Sequence, residues 1–197
     1  MVFAKTGEQI VATNGFLTMV DKTFLSGGAE YRRTIIAHPG AVVIVPIVDG
    51  TRVVVVRQFR PSVEEYLIEL PAGKRDVPDE GIVVTAEREL QEECGLQAQH
   101  LSAIGSFLNS PGFTDEMTHV VLAVGLSEAP QAPQSVEEED MEVRAVPIGP
   151  AGDFSALPRF TDGKSIIGIA LAKLFLMSHK EELSAYADSP GVRGRFR

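Results

Sequence analysis

A continuous apolar run at residues 41–48 leaves few choices for the fold of this chain. A strand with one face in water alternates apolar and polar side chains, so this run is predicted to be a strand in the core. Pro46 lacks an N–H and is expected at a bulge or at a position without a ladder hydrogen bond. Asp49-Gly50 is typical of a tight hairpin turn, and residues 51–58 are predicted to return as a second strand.

A helix is predicted later in the chain. Val83, Ala86, Leu90 and Cys94 recur at spacings of three, four and four residues, which is the apolar stripe of a helix. Gly95 follows directly and is the expected C-cap.

Further strand candidates and a second helix determine the predicted fold class. Strands mixed with two helices indicate an α+β or α/β sandwich. Residues 8–37 contain short extended segments between turn signals and are predicted to form a small N-terminal β appendage. The predicted units are therefore an appendage at 1–40, a larger domain at 41–180 and a flexible tail at 181–197. The later strand candidates are 101–108, 117–126 and 141–147, and the second helix is 165–178.

Composition excludes several classes of partner. The formal net charge of −9 argues against a broad nucleic-acid-binding surface, which has to be basic. No apolar run is long enough to cross a bilayer, and the N-terminus lacks the layout of a secretory signal. The single cysteine, Cys94, fits a reducing compartment. We therefore expect a cytoplasmic protein with neither nucleic acid nor membrane as its partner.

Three carboxylates lie on one sector of the predicted helix. At about 100° per residue, Glu89, Glu92 and Glu93 fall within about 100° of arc beside the apolar stripe. They repel one another unless a cation neutralises them, and ligands that are all oxygen suit Mg²⁺ or Mn²⁺ better than zinc. Arg88 lies four residues before Glu92 and is expected to pair with it. The alternative is an ordinary solvated helix face, which is the usual meaning of such charges.

The wider pattern favours a metal site. It resembles the Nudix box, Gly-x₅-Glu-x₇-Arg-Glu-aliphatic-x-Glu-Glu-x-Gly-aliphatic, over residues 73–96. One departure is that six residues, not five, separate Gly73 from Glu80. Asp79 would restore the first spacing but break the seven-residue interval to Arg88, so an extra loop residue is the preferred explanation.

The resemblance implies a fold, a cofactor and a set of ligands. The fold would be an α/β/α sandwich with a mixed sheet between helices. Glu89 and Glu93 would be the principal ligands of Mg²⁺, with Mn²⁺ as a possible substitute. Glu92 would ligate directly or through water, and the Ala72 carbonyl would complete the shell. The implied reaction is hydrolysis of the diphosphate bond of a nucleoside diphosphate linked to another group, with Glu92 and Arg88 at the catalytic centre.

Outside the box the sequence is similar to the ADP-ribose pyrophosphatase branch of the family. The supporting segments are 58–60 followed by 69–73, then 110–116, in which Pro111 lies sixteen residues beyond Gly95, and finally the acidic segment 137–143. The implied substrate is ADP-ribose, cleaved to AMP and ribose 5-phosphate, or a closely related nucleoside diphosphate sugar.

This branch also implies residue roles. Arg60 would contact phosphate or ribose, and Glu69 and Pro111 would belong to the substrate site. Phe113 would wall the adenine or a ribose, although core packing explains it equally well. The acidic segment would supply the general base, with Glu137 as the first choice and Glu138 as the second.

The N-terminal appendage implies a homodimer, because in this branch such a sheet commonly exchanges between subunits. Two alternative functions remain open. One is a Nudix hydrolase acting on another nucleotide sugar, a dinucleoside polyphosphate or a modified nucleoside triphosphate. The other is an ADP-ribose-sensing domain without catalysis, which predicts eroded carboxylates and an attached helix-turn-helix, and neither is found in the sequence.

Overall fold

A computed structural model describes residues 2–179, 191–192 and 194–196. Strands dominate the described part, and two long α-helices, one short α-helix and a 3₁₀ helix (Leu157–Arg159) accompany them. In chain order the elements are β1 (Ala4–Asn14), β2 (Leu17–Ser26), β3 (Ala29–Ala37), β4 (Ala41–Pro46), β5 (Arg52–Arg60), β6 (Glu65–Glu69), β7 (Ala72–Lys74), α1 (Ile82–Cys94), β8 (Leu96–Leu108), β9 (Met117–Glu128), α2 (Val136–Glu139), β10 (Glu142–Pro147) and α3 (Gly163–Ser178).

The N-terminal strands form an antiparallel sheet of their own, in the order β1-β2-β3. Its strands are longer than the short segments expected from the sequence. Gly15, at a φ of +58°, makes the first turn in a backbone conformation that suits glycine. Most β1 side chains are exposed, so this sheet has little core of its own.

The central sheet has the order β7-β4-β9-β8 and is mixed, because β4 runs parallel to β9 while the other pairs are antiparallel. Every residue of β4 is buried, as the apolar run predicts. Pro46 lies at the end of β4, opposite Ala123, where the missing N–H is tolerated.

The sheet lies between the two long helices. One face, including Val43 and Val45, packs against Ile169 and Ala172 of α3. The other face, including Val42 and Ile44, packs against α1 through residues such as Leu90. Alternate side chains of β4 therefore enter different cores, which explains why the strand is apolar throughout.

The predicted hairpin between β4 and β5 is only partly correct. Gly50 makes the turn at a φ of +73°, and the Asp49 carboxylate accepts a hydrogen bond from the Thr51 backbone N–H at 3.2 Å. The two strands then diverge, since a single bridge joins Ile47 to Val53 and β5 pairs with β6 and β10 instead. The physical reason is that both edges of β4 are already occupied, by β7 and β9.

The chain end differs from the flexible tail expected at 181–197, as far as it is described. Residues 180–190, 193 and 197 lie outside the described part. Val192 and Phe196 are buried in the core beneath α1. Arg195 donates from Nη2 to the Cys94 carbonyl at 2.9 Å, at the C-terminus of α1, where a cation is favourable. None of the described helices is both long enough and apolar enough to cross a membrane.

Candidate active site

A cleft of about 740 Å³ opens between the end of β5, the strand β7, the polar face of α1 and the loop that carries α2. It brings together residues from distant parts of the chain that the sequence analysis had singled out. These are Arg60, Ala72, Gly73, Arg88, Glu89, Glu92, Glu93 and Glu138.

The helix α1 places two of its carboxylates in the floor of the cleft. Glu89 and Glu93 are 9% and 5% exposed, which is unusual for charged side chains. Glu93 Oε2 accepts a hydrogen bond from the Ala72 N–H at 3.0 Å. Burial raises the pKa of Glu89 to about 7, and burial together with the Glu89 charge raises the pKa of Glu93 well above its ordinary value. Holding both carboxylates ionised here requires a compensating positive charge.

Arg88 connects the acidic residues. Its Nη1 donates to Glu89 Oε1 and to Glu92 Oε2, each at 2.9 Å, so the predicted pairing with Glu92 is confirmed. Its Nε and Nη2 donate to the two carboxylate oxygens of Glu80, each at 3.2 Å.

The preferred alignment of the loop is supported by these contacts. Glu80, and not Asp79, faces Arg88. Asp79 is exposed and adopts a φ of +60°, so the extra residue is accommodated by a turn in the loop. The seven-residue interval to Arg88 is therefore the one that matters for the site.

Gly73 allows Glu89 to occupy its place. A Cβ at position 73 would lie 1.8 Å from Glu89 Cδ and 2.0 Å from Glu89 Oε1. The carboxylate of Glu89 thus packs directly on the glycine backbone. Only glycine permits this approach.

We expect Gly73→Ala to reduce kcat/KM for the substrate by about 10²-fold, because the Glu89 carboxylate must move by more than 1 Å. The melting temperature should change little, since the clash involves the far end of a flexible side chain. Steady-state kinetics and thermal unfolding measure the two effects. Gly163→Ala is the matched control, because its added Cβ meets no atom within 4 Å. Equal activity of the two variants would contradict this role of Gly73.

The donor set fits a hard divalent cation, although the side chains do not converge on one. Among the described residues, no group of three His, Cys, Asp or Glu side chains is arranged around a common metal position. Glu92 and Glu89 are turned towards Arg88, and Glu93 towards the Ala72 N–H. The donors are all oxygen, and two of the carboxylates are buried at a place where burial opposes their ionisation. Each of these carboxylates has a second oxygen outside these bonds, so it can keep its arginine or amide partner and still offer an oxygen to a cation.

Arg60, at the wall of the cleft, is half-buried and forms an ion pair with the buried Glu69. Its Nε and Nη2 donate to the two oxygens of Glu69 at 2.8 and 2.6 Å, and Glu69 is only 1% exposed. This pair is bidentate and fixes the guanidinium plane at the cleft wall. Glu69 lies beneath Arg60 and orients it, and Glu69 itself is not among the residues lining the cleft.

We expect Arg60→Met to lower the free energy of unfolding by on the order of 2–3 kcal/mol, because it leaves the Glu69 carboxylate buried without its partner. Urea denaturation measures the change. Arg144→Met is the matched control, since Arg144 pairs with the exposed Glu142. Adding Glu69→Leu to Arg60→Met should recover most of the loss, and a stable Arg60→Met single variant would contradict the assignment.

The acidic segment forms the short helix α2 at the cleft edge. Ser135 caps it by accepting a hydrogen bond from the Glu138 N–H. Glu138 lines the cleft, and its charge contributes to the raised pKa values of Glu89 and Glu93. Tyr66 Oη donates to Asp140 at 3.0 Å and ties the segment to β6. The side chain of Glu137 lies outside the described part of the structure.

Pro111 and Phe113 do not line this cleft. Pro111 lies in a separate shallow depression beside the N-terminal sheet, with Tyr31 and Arg33 among its neighbours. Phe113 is more than half exposed. The physical reason is that their loop is hydrogen-bonded to β3, with the Ile36 N–H donating to the Phe113 carbonyl at 2.8 Å. It therefore extends along the appendage and not over the carboxylates.

Several cleft residues were given no role from the sequence. Gln58 was noted only as part of a motif, and Lys164 at the start of α3 was not considered. Phe16 reaches the cleft from the β1-β2 turn, where the Lys74 ammonium lies 4.4 Å from its ring centroid. Phe16 lies far from the box in sequence, so no local sequence pattern could indicate that it reaches the cleft.

Comparison with known proteins decides the family. The NUDIX domain family matches residues 37–162, which include most of the residues that line the cleft, Glu89 and Glu93 among them. The chain belongs to the Nudix family. Its box therefore lies on α1 and on the loop that precedes this helix, as the spacing of the sequence indicated.

Similarity to known proteins extends over most of the chain. The methanol dehydrogenase activator of Bacillus methanolicus is 34% identical over 85% of this chain and 90% of its own length. The ADP-ribose pyrophosphatase of Bacillus subtilis is 35% identical over 90% of this chain and 93% of its own. A crystal structure of ADP compounds hydrolase superimposes with a TM-score of 0.77 at 22% identity, covering 91% of this chain and 96% of that one. The Nudix resemblance and the α+β fold class are both confirmed.

Proposed function

We propose that this Nudix protein hydrolyses the diphosphate bond of ADP-ribose, releasing AMP and ribose 5-phosphate, with Mg²⁺ as its cofactor. The observation that carries the proposal is the cleft itself. There, the buried carboxylates Glu89 and Glu93 line the same cleft as Arg60 and the acidic helix α2. The relative named ADP-ribose pyrophosphatase, similar over nearly its whole length, supports this substrate.

The metal would be held by Glu89, Glu93, Glu92 and the carbonyl of Ala72. When bound, Mg²⁺ supplies neutralisation of the diphosphate charge and polarises the attacking water. Arg88 then holds the orientation of Glu89 and Glu92, whose carboxylates it already contacts. Its remaining bonds to Glu80 tie this orientation to the loop.

The other residues bind the substrate and move the proton. Arg60, oriented by Glu69, is placed to donate to a phosphate or ribose oxygen. Glu138 is assigned as the general base, because its side chain lines the cleft. It takes a proton from the water as the water oxygen bonds to one phosphorus, and the bridging P–O bond breaks to release the other half of the substrate as a phosphate monoester. Pro111 and Phe113 would reach a substrate only across a subunit boundary.

A panel of capped nucleotides tests the substrate. ADP-ribose, UDP-glucose, GDP-mannose, NADH and a dinucleoside polyphosphate each resist alkaline phosphatase until their phosphate chain is cut. Phosphate released in a phosphatase-coupled assay, with and without Mg²⁺, therefore reports cleavage directly. We expect the highest kcat/KM with ADP-ribose, and no AMP formed in EDTA when the products are separated by chromatography without the phosphatase. A higher kcat/KM with another compound of the panel would identify that compound, and not ADP-ribose, as the preferred substrate.

We also propose a cytoplasmic homodimer assembled through the N-terminal sheet. The sheet β1-β2-β3 exposes large apolar side chains that a second copy would cover. The compartment is supported by a lone buried thiol, Cys94. Light scattering at micromolar concentration should give twice the monomer mass, and a clean monomer would contradict the dimer. The exposed apolar residues of the sheet include Ile10, Val11, Leu17, Met19 and Leu25.

A further inference from the structure

Gln58 is a buried polar residue whose side-chain donor is unused. It lies in β5, lines the cleft and is only 4% exposed. Within the described part of the chain, its Nε2 has no hydrogen-bond partner. Buried amide groups are nearly always paired, because an unpaired one loses its bonds to water without replacement. An unpaired donor facing a cleft therefore points to a ligand.

The position of Gln58 on its strand argues against a role in packing. Alternate residues of β5 share a face, so Gln58 continues the row of Val54 and Val56. These two valines are fully buried against the α1 core. An apolar side chain would continue that core without leaving a donor unpaired. Beyond Val56 the row continues with two polar residues that line the cleft, Gln58 and then Arg60.

The surroundings indicate the chemistry of the ligand. Arg60 and the carboxylates of Glu89, Glu93 and Glu138 line the same cleft as Gln58. These carboxylates accept hydrogen bonds and bind cations. Two N–H groups of Arg60 already donate hydrogen bonds to Glu69. A further uncharged donor beside Arg60 is suited to an acceptor oxygen that carries partial negative charge.

We propose that Gln58 is a substrate-binding residue whose side-chain N–H donates to a non-bridging oxygen of the diphosphate. The inference rests on the proposed function, because that function supplies the diphosphate. A neutral donor here fixes the position of the phosphate chain without competing with a cation for the carboxylates. The unpaired state of Nε2 in the ligand-free protein is the cost of having this donor ready before the substrate arrives.

The test compares Gln58→Met with Gln97→Met, a matched change on the exposed part of β8. With ADP-ribose and Mg²⁺, kcat/KM of Gln58→Met should fall by about 10- to 100-fold, as for loss of a hydrogen bond to a charged group. The melting temperature of the ligand-free protein should stay the same or rise, because an unpaired buried amide has been removed. Gln97→Met should change neither. Gln58→Leu serves as a second variant of similar size.

Two results would overturn the inference. Wild-type kcat/KM in both Gln58 variants would show that the amide does not touch the substrate. A fall in kcat/KM accompanied by a fall of several degrees in melting temperature, in both variants, would assign Gln58 a structural role instead.

Binding of α,β-methylene ADP-ribose, which cannot be cleaved, separates this inference from the proposed function. Calorimetry should give a dissociation constant about 10- to 100-fold weaker for Gln58→Met than for wild type. If the wild type binds the analogue in this way but does not cleave ADP-ribose, the hydrolase proposal fails and the role of Gln58 stands. If the wild type cleaves ADP-ribose and both proteins bind the analogue equally, only the role of Gln58 fails. Absence of binding to the wild type overturns both.

Discussion

Glu93→Gln is expected to lower kcat for ADP-ribose hydrolysis by at least about 10³-fold while leaving the protein folded. The amide has the shape of the carboxylate and can still accept the hydrogen bond from the Ala72 N–H. It cannot supply the charge that holds a divalent cation. Stopped and continuous assays at saturating Mg²⁺ measure the loss. Glu87→Gln is the matched control, since Glu87 is exposed on the same helix.

The same variant, although less active, should be more stable than the wild type in the absence of metal. Burial raises the pKa of Glu93 above its ordinary value of 4.5, so the folded, metal-free protein binds a proton more tightly there than the unfolded chain does. The wild type therefore loses stability from this group as the pH rises above about 4.5, and Glu93→Gln does not. Melting temperatures from pH 5 to 8 in EDTA should favour the variant increasingly. Adding Mg²⁺ should stabilise the wild type alone. An active Glu93→Gln protein would refute the assignment.

Glu138→Gln is expected to lower kcat by about 10²- to 10⁴-fold with a small change in KM, as for removal of a general base. The side chain lines the cleft and its charge acts on both buried carboxylates of α1. The Ser135 cap should be preserved, because it uses the backbone N–H of residue 138. The dependence of kcat on pH should lose its acidic limb in the variant.

Two neighbours provide the comparison for this experiment. Glu139→Gln, on an exposed residue of the same short helix, should leave kcat unchanged. Glu137→Gln tests the residue that the sequence alone placed first. A large fall in Glu137→Gln with normal activity in Glu138→Gln would transfer the role to Glu137. Unchanged rates in both would remove α2 from the mechanism.

The parts of the account that sequence predicted well depend on local periodicity. The stripe that ends at Cys94 located α1 to within one residue at its start, and Gly95 caps it at a φ of +62°. The apolar run correctly placed β4 in the core. The carboxylates followed from their spacing on this helix, because a helix fixes the relative direction of residues three and four apart.

The remaining features depend on tertiary contacts that no local pattern encodes. The Asp49-Gly50 turn indicated a hairpin, but competition from β7 and β9 for the edges of β4 separates the strands. Pro111 has the spacing of a substrate residue, yet hydrogen bonds to β3 hold its loop away from the cleft. Gln58 gains its significance only from burial without a partner, which requires the whole fold.

The central claim is that the carboxylates following Arg88 bind hard divalent cations for cleavage of a diphosphate. A crystal structure of the wild type with Mg²⁺ and α,β-methylene ADP-ribose tests it most directly. We predict Mg²⁺ at about 2.0–2.1 Å from oxygens of Glu89 and Glu93, with the diphosphate completing the coordination. Glu89 and Glu93 with the analogue bound and no cation between their oxygens would contradict the claim.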